Sequence, residues 1–217
     1  MIGGRRRGRR VMSQLRMASS NHSERGQSLV EFAMIVPVFV LILFGMLEFG
    51  FVFSHNLTLQ YATREGARTG ALLADGGSLT TACGTIDPDP YIIAAVQRVL
   101  DSPGSPIDLS QVARIRIYSA NSTGTEAGPV DVWDNPGTGT VVSVDGQALA
   151  FTRTSQSWQP CNRDNASVPP QSIGVSLTYT YKMVTPLSAI YQFFGPKGPA
   201  SLPMTDKTVM ALNPKTT

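Results

Sequence analysis

RGQSLVEFAMIVPVFVLILFGMLEFGFVF, residues 25–53, decides how the rest of this chain is read. Residues 32–47 are sixteen in a row without a charge, and residues 29–53 form a run of twenty-five interrupted only by Glu31 and Glu48. As a helix rising about 1.5 Å per residue, that run is roughly 37 Å long, enough to cross a hydrocarbon core of about 30 Å. Pro37 and Gly45 would weaken a soluble helix but are common in membrane helices. The alternative, a core helix of a soluble domain, needs other apolar segments to surround it, and the chain has none as greasy. An acid inside such a run is costly and usually has a purpose, so Glu31 needs an explanation.

Charge orients the span. Residues 1–26 hold seven arginines against the single acid Glu24, a net of +6, whereas the remainder is net negative by three. Positive flanks stay in the cytoplasm, so residues 54–217 are expected outside it. Nucleic-acid binding by the arginines of residues 5–10 is the weaker reading, because the basic run precedes a span and no aromatic stacking residues accompany it. A secretory signal would have an apolar region of about 7–15 residues ending at a small-residue site. This run is longer, and no such site follows it. The good candidate cut lies before the run, after Gly26, which leaves Gln27 as the new terminus of a helix that stays on the protein.

Gly26, four residues, Glu31 and the aromatic Phe32 resemble a type IV prepilin processing site. The longer string of residues 25–53, followed by Ala62-Thr63-Arg64-Glu65-Gly66-Ala67-Arg68, is similar to TadE-like proteins, minor pseudopilins of the tight-adherence (Flp) pilus systems. The similarity is specific over about residues 25–70 and loose beyond, where only Tyr181-Lys182-Met183-Val184-Thr185-Pro186-Leu187 fits the family pattern. The resemblance implies cleavage after Gly26 by a membrane-embedded prepilin peptidase, and a glycine there lets the peptidase approach the backbone closely. It also implies that Glu31, beside Phe32, attracts the new Gln27 amine of a neighbouring subunit in a low-dielectric setting. Implied partners are the peptidase, other pilin and pseudopilin subunits with the pilus assembly machinery, and membrane lipid. TadF- or TadG-like roles share the helix pattern. The alternative is an uncleaved, signal-anchored module that binds a ligand at the cell surface.

The expected organisation is a cleaved basic leader (1–26), a transmembrane and stalk helix (27–74) and an extracytoplasmic head (75–217). The fold class is α+β, a long membrane-spanning helix continuing as a stalk into a small antiparallel head with one or two helices. Glu48 reads as a solvated residue at the outer boundary. Residues 54–73 continue the helix as a stalk, with Leu57, Tyr61, Arg64 and Arg68 near i, i+4 spacing and several alanines, and pack one face against the head; Arg64 and Arg68 are candidate contacts for head carbonyls or other subunits, or equally a solvated face. Asp75-Gly76-Gly77-Ser78 ends the helix. Asp89 is a candidate N-cap ahead of Pro90, opening a helix over residues 91–100 that Ser102-Pro103-Gly104 stops. Strands are expected over residues 112–118, 141–144, 149–151, 173–181 and 207–212, with Asp145-Gly146 a two-residue hairpin turn. Residues 121–139 and 155–171 read as loops.

Cys83 and Cys161, an even count in an exported domain, point to a disulfide, with two buried free thiols as the alternative. No metal site is expected, since the two cysteines with His22 and His55 lack ligand spacing. No cofactor motif, nucleophile motif or phosphate-cradling loop is present, and no enzymatic function is expected.

Overall fold

The computed structural model describes residues 22–73, 87–189 and 201–213, with α1 side chains from Gly26 onward. The basic leader up to residue 21, the Asp75-Gly76-Gly77-Ser78 breaker and Cys83 lie outside the described residues. Helix α1 spans His22–Leu73 and includes Pro37. By contact the chain divides into Met1–Leu43 and Phe44–Thr217.

In the first unit the described residues are helix alone. Side chains on all its sides are exposed, among them Leu29, Phe32, Met34, Ile35, Val38 and Phe39. The most apolar window of α1 has a mean hydropathy of 2.5, and none of it is buried within the chain. A soluble core helix would be covered by its own protein; this one offers its apolar surface outward. Length and composition make it a single-pass membrane anchor.

The second unit is an α+β fold, and α1 enters its core. Helix α2 (Asp89–Leu100) follows, then strands β1 (Val112–Ala120) and β2 (Glu126–Asp134). A small hairpin of β3 (Ser143–Val144) and β4 (Gln147–Ala148) precedes β5 (Thr152–Ser155), β6 (Ser172–Lys182) and β7 (Ser201–Ala211). The main sheet has the order β5-β2-β1-β6-β7, with every pairing antiparallel.

Alternation along β6 sends Ile173, Val175, Leu177, Tyr179 and Tyr181 to one face, all buried. Ile115, Ile117 and Trp133 join them from the neighbouring strands. The opposite face is polar, where Arg114 pairs with Asp134 and Arg116 with Glu126, each at 2.6 Å. Tyr118 also lies on that face, over its cross-strand partner Gly174. A Cβ on Gly174 would stand 2.2 Å from the Tyr118 ring, so only glycine fits under it.

Both helices cover the apolar face. α1 contributes Leu59, Ala62, Thr63, Gly66, Ala67, Gly70 and Ala71, while Tyr61, Arg64 and Arg68 point to solvent and Leu57 is 38% exposed. Of the alternatives for Arg64 and Arg68 the solvated face is the one observed, and the alanines lie on the face that packs. The reason is steric: the helix comes so close that a Cβ on Gly66 would meet Val96 at 2.5 Å and Val175 at 3.3 Å. One on Gly70 would meet Ile173 at 2.6 Å. Small residues permit that approach, and bulky ones face outward.

Other differences are local. Asp89 is the first residue of α2 rather than its N-cap, which is Pro88; the Asp89 amide bonds Asp87 Oδ1 at 3.0 Å. Residues 126–134 form β2, although Gly128 and Pro129 read as loop. Pro129 is tolerated because β5 pairs only with Val132–Asp134, leaving that end of β2 without a second neighbour. The last strand begins at Ser201, earlier than residue 207. The hairpin turn falls where expected, with Asp145 and Gly146 at φ of 51° and 81°.

Candidate assembly segment and the helix-to-head clamp

Gly26, Gln27, Glu31 and Phe32 share the start of α1. A Cβ on Gly26 would find nothing within 4 Å, so no other described part of the chain covers that position. Gln27 Nε2 donates to Glu31 Oε1 at 3.2 Å, one turn away on an exposed face. Phe32 is 68% exposed beside it. The structure thus brings the four residues together on an open stretch of helix.

Glu48 behaves differently from its expectation as a solvated boundary residue. It is 7% exposed. Its Oε1 accepts from the Tyr181 hydroxyl at 2.5 Å and the Val184 amide at 3.2 Å. Oε2 accepts from the Thr185 amide at 3.0 Å. Antiparallel pairing carries β6 along α1 so that its end arrives at Glu48, and the turn after β6 aims two backbone N–H groups at the carboxylate. Three donors replace the water that the helix position denies it. Burial first, and the Glu48 carboxylate second, push the Tyr181 hydroxyl well above its ordinary range.

Two helical turns further on, His55 extends the seam. Its Nδ1 lies 3.0 Å from the Tyr179 hydroxyl, which donates to Gln111 Oε1 at 3.1 Å. Its ring meets Tyr181 edge-on at 4.9 Å. Next along the helix, Thr63 bonds Asp206 and, at 3.0 Å, Thr208 of β7. Every polar side chain on the buried face of α1 is thereby matched by one on the sheet. Sequence reading noted both Glu48 and the Tyr181–Thr185 string; the signal left unused was that a string of donors needs an acceptor.

Comparison with known proteins identifies the helix. Residues 26–68 match a family model described as TadE-like protein. Over those residues the helix is similar to TadE-like proteins. No curated protein and no solved structure matches the chain. The TadE-like segment covers Gly26, Glu31, Glu48, Thr63 and Gly66, so it takes in the open start of α1, the clamp acid and most of the face that packs on the sheet. The similarity is confined to that segment of the chain, residues 26–68.

Within the TadE-like segment Arg64 and Arg68 are exposed. Arg68 reaches Glu65 at 3.6 Å with both side chains largely in water, a pair worth little. Cys161 lies exposed in the 3-10 turn Pro160–Asn162, while its expected partner Cys83 is outside the described residues.

One cluster in the head escaped sequence reading altogether. Arg163, fully buried, pairs with Asp89 at 2.5 Å and Asp131 at 3.2 Å. Arg153 pairs with Asp87 and approaches Asp89 at 3.6 Å. Each guanidinium also covers a tryptophan at 4.8 Å, Arg153 over Trp133 and Arg163 over Trp158. Three carboxylates thus face two cations. Burial pushes Asp89 up to about 7, against the pull of Arg163. The five groups come from positions up to 76 residues apart, between Asp87 and Arg163, and nothing in their local spacing announces them.

Proposed function

We propose that the chain is a minor pseudopilin of a tight-adherence (Flp) pilus, a structural subunit and not an enzyme, whose leader a prepilin peptidase removes after Gly26. The observation that carries this reading is the uncovered Gly26 five residues ahead of Glu31, in the segment of α1 that is similar to TadE-like proteins. Removal of the leader gives Gln27 a cationic amine. Glu31 then draws the amine of a neighbouring subunit, and Phe32 packs beside the pair. The arginine-rich side faces the cytoplasm and the sheet lies outside, where Cys83 and Cys161 form a disulfide. The membrane holds the subunit until pilus machinery draws α1 out among other pilin helices.

Co-expression with a prepilin peptidase, followed by mass analysis of the mature terminus, tests this. Gln27 is expected as the first residue, and a Gly26→Leu variant is expected to keep its leader. Met1 intact on the wild-type protein in those cells would sink the reading and leave an uncleaved, signal-anchored binding module. Glu31→Ala should be cut normally yet enter filaments poorly; normal incorporation refutes its assembly role.

A further inference from the structure

We infer that the end of the sheet where β6 stops is a lipid-contacting foot, seating the head on the bilayer surface before assembly. The inference rests on the membrane reading of α1. Glu48 lies inside the apolar run of residues 29–53, about 29 Å along a helix from Leu29, and so at the border of a hydrocarbon core about 30 Å thick. Its carboxylate has its donors in Tyr181, Val184 and Thr185. Those donors must therefore stand at the same depth as Glu48. The head reaches down to the membrane rather than standing off it on a length of bare helix.

The surface at that end suits the depth. β6 and β7 pair on past the start of β1: Val112 pairs with Tyr179, whereas β6 and β7 continue to the Lys182–Ser201 pair. The projecting end exposes Val184 at 67% and Leu202 at 38%, with Lys182 exposed beside them. On the same unit Phe49, Phe51 and Phe53 stand exposed around the helix at 72%, 42% and 54%. Apolar side chains with a cation at their edge match the acyl boundary and the anionic headgroups above it. The occupant that this surface fits is lipid.

Tryptophan placed at chosen sites in the full chain, reconstituted in vesicles containing lipids brominated near the headgroup or deep in the acyl chain, tests the inference. The native Trp133 and Trp158 are buried in the head and supply a constant background. Val184→Trp is expected to lose emission to the shallow bromines. Val168→Trp, 97% exposed and beyond the opposite end of the eleven-residue β6, is expected to lose none. Phe39→Trp, in the span, is expected to be quenched by the deep bromines. If Phe39→Trp is quenched and Val184→Trp behaves like Val168→Trp, the foot is refuted while the anchor stands. If Phe39→Trp is untouched, the anchor reading fails and the foot falls with it.

Discussion

Glu48→Ala is the sharpest perturbation the structure offers. It strips one acceptor from three donors: the fully buried Tyr181 hydroxyl, the Thr185 amide and the more distant Val184 amide. Hydrogen bonds to a charged group contribute about 1.5–3 kcal/mol each, and an orphaned buried donor costs about 1–3 kcal/mol. With the 3.2 Å Val184 contact counted as weak, the expected loss is about 3–5 kcal/mol of head stability. For a domain of this size that is a drop in Tm of roughly 10 °C. Tyr181→Phe removes one donor and leaves the carboxylate its two amides, so it should cost about 1–2 kcal/mol. The double variant should then show a coupling of about 1–2 kcal/mol, because the pair shares one bond. Urea unfolding of the full chain in detergent, followed by the fluorescence of Trp133 and Trp158, reads these values from inside the head. Glu31→Ala, on an open stretch of helix, is the control and should leave the transition in place. A Glu48→Ala transition within about 0.5 kcal/mol of wild type, the usual scatter of neutral surface changes, would refute the clamp.

Other expectations follow from the packing and the buried charges. Gly66→Val and Gly70→Val should each cost about 2–3 kcal/mol in the same assay by overpacking against Val96, Val175 and Ile173, while Gly45→Ala, with nothing within 4 Å of its Cβ, should leave head unfolding unchanged; equal effects at the three glycines would contradict the close approach of α1. Asp89, raised to about 7 in the fold from an unfolded value near 3.9, binds its proton more tightly when folded. Its contribution is therefore fully present at low pH and is lost as pH rises from about 4 through about 7. The stability of wild type relative to Asp89→Asn should accordingly increase between pH 7.5 and pH 5, and a difference that is flat or falls over that window counts against the three-acid, two-cation arrangement. Cys83 and Cys161 should resist alkylation of the exported protein until it is reduced, as mass spectrometry reads directly; two thiols that label without reductant would exclude the disulfide.

What the sequence disclosed depended on how local the signal was. The anchor was legible because a run of twenty-five nearly uncharged residues has few other uses. β6 was legible because Ile173, Val175, Leu177, Tyr179 and Tyr181 alternate without a break, and the hairpin because Asp145-Gly146 suits positive φ. β2 was hidden by Gly128 and Pro129, whose breaker character is harmless only because no strand flanks them on one side. The i, i+4 spacing of α1 leaves open which face packs; against a sheet at such short range, absence of side chain, at Ala62, Gly66, Ala67 and Gly70, is the packing signal. At the candidate site, Gly26 and Glu31 announce themselves by spacing along one helix. Glu48 does not, since its donors lie 133 to 137 residues away and only the antiparallel course of β6 along α1 brings them to it.

The last strand carries a further consequence. Among the described residues β7 is an edge, paired to β6 along all of its eleven residues and with no strand on its other side. Long open edges invite strand addition from other chains. This one interposes Pro203, which has no N–H to offer, and follows it with Asp206 and Lys207. Asp206 is engaged by Thr63 of α1, so a slipped or displaced β7 would strand a charge against the helix. Copies of the protein brought close together are thereby discouraged from zipping sheet to sheet.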